Sequence, residues 1–311
     1  SAQMIADSPR FYPITPNIRQ VDAFNAYTAG CGHAFATSAG FPKAWRDRRA
    51  FICGPTGNLL GMYDIRPKDS GYEAINAFSF MASADEWFSP VVAEVGPDGN
   101  LWVADWYNFI IQHNPTPNKG RAGYDAKNGQ GNAHINPNRD RQHGRIYRVV
   151  HTGRKPQAAP KMSEQGYEQL IGHLESGNGW RRDTAQRLLV ERNEKAALPI
   201  LREIATASEH HLARQHALWA LEGLDGLDAP TIAQALGDKH PRVRIAALRV
   251  TESFTAKLGG RVADTEARVA LLPALTEVAQ DENADVRQQM ALSLPAIKVP
   301  GLEPLLRTFV V

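Results

Sequence analysis

The C-terminal half of the chain repeats itself, and the repeat restricts the fold more than any other feature. Pro199 in ALPIL, Pro230 in DAPTI, Pro273 in LLPAL and Pro304 in LEPLL each begin or interrupt a helical apolar pattern. Arg214, Arg244 and Arg287 follow the first three prolines by 15, 14 and 14 residues, and each opens a second helical run: ARQHALWAL, VRIAALRV and VRQQMALSL. The prolines are 31, 43 and 31 residues apart, the long step holding an insertion, TAKLGGRVADTE. An earlier unit lacks the proline. YEQLIGHL and NGWRRDTAQRLLVER supply its two helices, with Arg182 at the equivalent place. Ala197, Leu201 and Ile204 fall on one helical stripe, as do Val243, Ala247 and Val250, and Val286, Met290, Leu294 and Ile297. Such helix pairs cannot bury their apolar faces alone and must stack on neighbours. Proline inside a helix costs about 3 kcal/mol, so its recurrence implies either a patterned first turn or a kink.

Helix pairs with this Pro and Arg pattern resemble HEAT repeats. The expected C-terminal domain is therefore an α-solenoid over residues 163–311, joined through a junction near 152–162 to a β-rich domain over 1–155. The chain opens on SAQMIADSPRFYPITP without an initiating Met and closes on GLEPLLRTFVV, which reads as the first helix of a further unit. Both ends suggest an internal fragment, or a mature chain cut from a longer precursor.

From Cys31 to about His151, short β-like runs alternate with Gly, Pro, Asn and Asp. CGHAFATS, RRAFIC, NLLGMYDI and YEAINAFSFM read as four strands, and PVVAEV, NLWVADW, FIIQHN and GRIYRVVH as four more. The GPDG turn, Gly96 to Gly99, joins two of them. Four antiparallel strands recurring as a unit is a propeller-blade pattern, with a β-sandwich as the alternative. The stretch from Asn114 to His143 has no hydrophobic period and reads as a long loop, either lining a binding face or solvated. Cys31 and Cys53 flank FPKAWRDR, a plausible hairpin loop whose centre is also theirs. They read either as a disulfide or as two free thiols. Neither belongs to a Cys-x-x-Cys motif.

With 35 basic and 33 acidic side chains the net charge is +2, which argues for neither nucleic acid nor an anionic membrane as partner. No apolar run approaches the ~18 residues of a membrane span. No His-Glu-x-x-His, phosphate-loop or nucleophile-elbow pattern occurs, and no metal site is expected.

DEWFSPVVAEVGPDGNLWVADWYNFIIQHNPTP, HGRIYRVVH and GNGWRRDTAQRLLVER, together with CGHAFATSAGFPKAWRDRRAFICGPTGNLLG, resemble one family over most of residues 30–192. It comprises large extracytoplasmic proteins of planctomycetes and verrucomicrobia designated membrane-bound dehydrogenases or heme-binding proteins. Their order is a propeller similar to quinoprotein sugar dehydrogenases, HEAT-like repeats, then a cytochrome c domain. The resemblance implies the last two or so blades of a β-propeller followed by an α-solenoid, in a periplasmic or otherwise extracytoplasmic protein. It implies a quinone of the PQQ type with calcium in the propeller, and heme c on a domain outside this chain. The missing blades and the cytochrome c domain would be its partners. Covalent heme needs Cys-x-x-Cys-His, and Cys31-Gly-His33 does not supply it.

Within that frame, His33, Asp105, Arg145 and Arg148 are the candidate cofactor-binding residues, and Trp87, Trp106 and Tyr107 the candidate substrate-binding ones. Each has a structural reading beside it. His33 reads also as a satisfied structural histidine, Asp105 as a carboxylate capping a neighbouring loop, and Trp87 as an inter-blade core residue. Arg145 and Arg148 are read as sharing one face of the closing strand, facing an anionic quinone or paired with acids such as Asp98. Arg182, Arg214, Arg244 and Arg287 are expected to hold repeat units together. His210 and His211 lack metal-ligand spacing. Two functions follow: a binding or scaffold module for a protein or carbohydrate, or part of a quinone-dependent sugar or alcohol dehydrogenase passing electrons to a cytochrome c.

Overall fold

The computed structural model describes residue 14, residues 30–46, 48–68, 71–108, 140, 142–154 and 157–306. The expected FIIQHN strand, most of the 114–143 loop and the last five residues lie outside them. The chain divides into two compact units, Ser1–Ala159 and Pro160–Val311, the first holding antiparallel β-sheet and the second α-helix.

In the first unit, β1 (Cys31–Phe35), β2 (Arg49–Gly54), β3 (Leu59–Lys68) and β4 (Gly71–Ala82) form an antiparallel meander in sequence order. β5 (Pro90–Val95), β6 (Leu101–Asp105) and β7 (Arg145–Val149) form a second antiparallel sheet. Alternation along each strand sends one set of side chains to a shared core. Phe51, Cys53, Leu60 and Met62 from the meander meet Ala93, Val95, Leu101 and Val103 from the second sheet. The GPDG turn closes as its composition predicts. Gly99 takes the left-handed conformation at φ 79°, and the Asp98 carboxylate accepts from the Asn100 N–H and the Trp102 Nε1–H.

β1 departs from plain alternation at Gly32. Cys31 pairs with Cys53 and His33 with Ile52, so Gly32 is the extra residue of a bulge, at φ 47°. The bulge turns both Cys31 and Ala34 toward the core, and leaves His33 and Phe35 exposed. A Cβ on Gly32 would run into the Val91 carbonyl oxygen. Gly32→Ala is therefore expected to lower stability by more than about 2 kcal/mol, because left-handed strain adds to a backbone clash. A chemical-denaturation midpoint indistinguishable from wild type would contradict this.

The second unit is a series of helix hairpins. α1 (Tyr167–Gly172) pairs with α2 (Gly179–Glu191), α3 (Leu198–Ala207) with α4 (His211–Gly223), and α5 (Ala229–Leu236) with α6 (Pro241–Lys257). After α7 (Val262–Val269), α8 (Leu272–Val278) pairs with α9 (Ala284–Ser293), and α10 (Glu303–Leu306) follows. The second helices pack in succession, α2 on α4, α4 on α6 and α6 on α9, and α3, α5 and α8 do likewise. Pro199, Pro230 and Pro273 each stand at the second position of their helix. There the missing N–H has no intrahelical acceptor to lose, so the recurring proline marks a first turn and not a kink. The Asn178, Asp228 and Asn283 side chains cap α2, α5 and α9. The insertion extends α6 and builds most of α7. Among the described residues, no helix is long and apolar enough to cross a membrane.

The repeated arginines form a ladder. Each Nη1 donates to the carbonyl six residues earlier: Arg182 to Ser176, Arg214 to Ser208, Arg244 to Asp238 and Arg287 to Asp281. Arg214 also forks onto both carboxylate oxygens of Asp238 at 2.6 and 2.7 Å, and Arg244 onto those of Asp281 at the same distances. Asp238 thus takes one hairpin's arginine with its side chain and the next hairpin's with its carbonyl. The forks of Arg214 and Arg244 run between repeat units and require arginine, whereas the bonds to the carbonyls, including those of Arg182 and Arg287, close the turn within a hairpin.

Candidate functional site

Arg145 organises the end of the second sheet. Asp105, the last residue of β6, stands in register with Pro90 on one side and Arg145 on the other. Its carboxylate is buried. One oxygen accepts from the Ser89 N–H at 2.7 Å and the Tyr107 N–H at 2.8 Å, and the other from Arg145 Nε at 2.7 Å. Arg145 Nη1 reaches Asp85 at 2.9 Å, and Asp85 in turn accepts from the Trp87 N–H. Burial alone would lower the Arg145 pKa, but the hydrogen bonds to Asp85 and Asp105 hold it above the ordinary value. The guanidinium lies 4.2 Å from the Tyr107 ring centre, and Trp87 packs on the same ring at 5.5 Å. Tyr107 adopts φ 52°, a conformation bulky side chains rarely take, and is held there by the N–H bond to Asp105. His143 contacts the edge of Tyr107 and pairs with Asp140 at 2.7 Å.

Four of the seven sequence-predicted residues, Asp105, Arg145, Trp87 and Tyr107, therefore meet in one cluster. Asp105 is committed to holding the loops on either side of it, the capping role that was its alternative reading. Trp106 donates its N–H to the Ser89 carbonyl and leaves its side chain partly exposed. His33 lies on the exposed face of β1, in the other sheet.

Arg148 corrects an expectation. Arg145 and Arg148 do not share a face, because residues three apart on a strand point to opposite sides. Arg148 instead faces Asp98 at 3.6 Å and lies over Trp102 at 5.7 Å, at the GPDG turn. The Asp98 carboxyl, buried against its charged form, is nonetheless held below the ordinary range by its bonds to Trp102 and Asn100 and by Arg148.

The four candidate cofactor-binding residues do not converge on one site. His33, Asp105, Arg145 and Arg148 are divided between two sheets and two faces, so they do not surround one quinone. No cluster of three or more His, Cys, Asp or Glu among the described residues could hold calcium. Cys31 and His33 offer one thiol where covalent heme needs two.

A second feature lies on the helical unit. Asp183, Gln186, Arg187, Val190 and Glu191 of α2 and Trp219, Glu222 and Gly223 of α4 line a groove of about 380 Å³. Trp219 is 36% exposed there. Arg187 is paired with Glu191 at 3.0 Å and Glu222 with Lys257 at 3.7 Å, so the acidic character of the groove comes from Asp183. Sequence reasoning passed over these residues, because an aromatic inside a repeat helix reads as core. The available signal was position. Trp219 follows the buried Ala217 and Leu218 and precedes the buried Ala220 and Leu221, so it falls on the helix's outer side.

Residues 1–153 match a family model described as a domain of unknown function, DUF7133. No curated protein matches the chain.

Proposed function

We propose that this chain is a binding module whose recognition face is the α2–α4 groove, and that its occupant is an extended, basic segment of a partner protein. The observation that carries the reading is Trp219, a partly exposed aromatic in a groove that Asp183 also lines. Binding energy in protein interfaces concentrates on such aromatic anchors, and a carboxylate beside one, here Asp183, favours cationic partners. Stacked helix hairpins present continuous surfaces of this kind. In this reading the helical unit is a HEAT-type α-solenoid, supported by the first-turn prolines and the arginine ladder. The β unit is the closing part of a propeller, supported by the four-stranded meander and the second sheet sharing its core. The parent would be an extracytoplasmic, dehydrogenase-like protein, as the resemblance over residues 30–192 suggests.

Selection of displayed random peptides on the immobilised chain tests the reading, with a glycan array run in parallel. Enriched peptides should carry Lys or Arg. Their affinity should fall at least about tenfold with Trp219→Ala, in the range of an interface anchor. Peptides indifferent to Trp219→Ala, or glycans that depend on it, would overturn the assignment.

A further inference from the structure

We propose that Cys31 and Cys53 are a disulfide-forming pair that clamps β1 to β2. The two are the only cysteines in the chain, and both are free thiols in the structure. They are direct partners across an antiparallel strand pair. Such partners have Cα atoms about 4.5–5.5 Å apart, inside the roughly 4.4–6.8 Å that a disulfide spans. Direct partners also project to the same side of a sheet. The core composition bears this out independently, since Cys53 is fully buried in the β unit's core and Cys31 packs against that same core.

The bulge is what makes the pair. Cys31 and Ala34 are three apart and in a regular strand would face opposite ways. The extra residue, Gly32, puts both on the core side. Only glycine suits the position, given its positive φ and the Val91 carbonyl beside it. A strained, glycine-dependent distortion that turns one of two cysteines onto the other has a reason if the sulfurs are joined.

The oxidant is a small-molecule disulfide or an enzyme of the dithiol-oxidase class. With oxidised glutathione, the more accessible Cys31 thiolate attacks one glutathione sulfur and expels the first glutathione thiolate. The Cys53 thiolate then attacks the Cys31 sulfur and expels the second. Two protein thiols are oxidised, one glutathione disulfide is reduced to two thiols, and the two protons shed by the cysteines pass through solvent to the expelled glutathione thiolates. Burial, and secondarily the neighbouring Cys31, push the Cys53 thiol up to about 12. Its thiolate is therefore scarce in the folded, reduced chain, so closure is slow there and fast during folding. Such a bond persists in an oxidising compartment, which is where the resemblance would place the protein.

The full chain refolded from urea in a glutathione redox buffer tests the pair, beside a Cys31→Ser/Cys53→Ala control. The expected result is loss of both titratable thiols, a mass lower by two hydrogens, and a cross-linked peptide containing positions 31 and 53. The oxidised chain should also unfold at higher denaturant than its reduced form, while the control should not respond to reductant. Two persistent thiols, glutathione retained on Cys31 with Cys53 free, or dimers joined through Cys31 would each overturn the proposal. None of them depends on Trp219 or on peptide binding.

Discussion

Arg214→Met is expected to destabilise the helical unit by about 3–5 kcal/mol, the cost of removing one partner from a buried ion pair. The Arg214 side chain is 3% exposed and that of Asp238 9%. Methionine fills much of the arginine's volume, so little of the loss is cavity. The loss comes from Asp238, left as a desolvated carboxylate that keeps the His240 N–H at 2.7 Å but loses its guanidinium. The Ser208 carbonyl loses its donor as well. Asp238→Asn in the Arg214→Met background should restore part of the stability, because a neutral amide costs less to bury and can still accept the His240 N–H. Arg214→Lys should fall between wild type and methionine, since an ammonium restores the charge without the fork. Urea denaturation followed by far-ultraviolet circular dichroism reads all three. A loss under about 1 kcal/mol for Arg214→Met would reduce the ladder to the weight of an exposed salt bridge.

The ladder also shows which parts of the structure the chain discloses in advance. The positions of Arg182, Arg214, Arg244 and Arg287 follow from periodicity, because a repeated packing problem is solved with the same residue at the same place. Their partners do not follow. Asp238 and Asp281 stand 24 and 37 residues from Arg214 and Arg244, a difference created by the insertion before α8. The prolines are equally legible, and the choice between first turn and kink is settled by the helix starts they occupy. In the β unit, hairpin centring predicts that Cys31 and Cys53 face each other. The bulge that puts Cys31 on the core side is hidden in a single Gly32, whose φ no local pattern reveals. Asp105, Arg145, Trp87 and Tyr107 are prominent as residue types, yet their meeting depends on β6 and β7 pairing across some forty intervening residues. Arg145 and Arg148 lie three apart on β7, so strand parity sends them to opposite faces. Trp219 is the converse case, a residue whose type suggests core and whose helix phase puts it at the surface.

His216 makes acid the second large perturbation. The imidazole on α4 is 16% exposed, and its Nδ1 lies 2.7 Å from Gln186 Oε1, an acceptor that fixes the proton on Nδ1 in the neutral ring. Burial, followed by the charge of Arg182, lowers its pKa from the usual 6.5 to about 4. Protonation is therefore easier in the unfolded chain than in the folded one. Stability from this group is complete above about pH 6.5, falls as pH drops toward 4, and changes no further below that. The difference of about 2.5 pKa units corresponds to about 3 kcal/mol. Asp183, 3.8 Å from Nε2, is three-quarters exposed, so its attraction for an imidazolium is screened and recovers little. His173 and His240 are also lowered by burial and titrate with the same sign, so the wild-type curve alone does not isolate His216. His216→Asn does, because its amide keeps a donor near the position of Nδ1 and has no proton to gain. The variant should lose about 1 kcal/mol at pH 7 and a smaller amount than wild type on acidification, so that the two stability curves cross between pH 6.5 and 4. Parallel curves across that interval would mean that the folded protein accommodates a protonated His216, and that the contact with Gln186 does not hold the ring neutral.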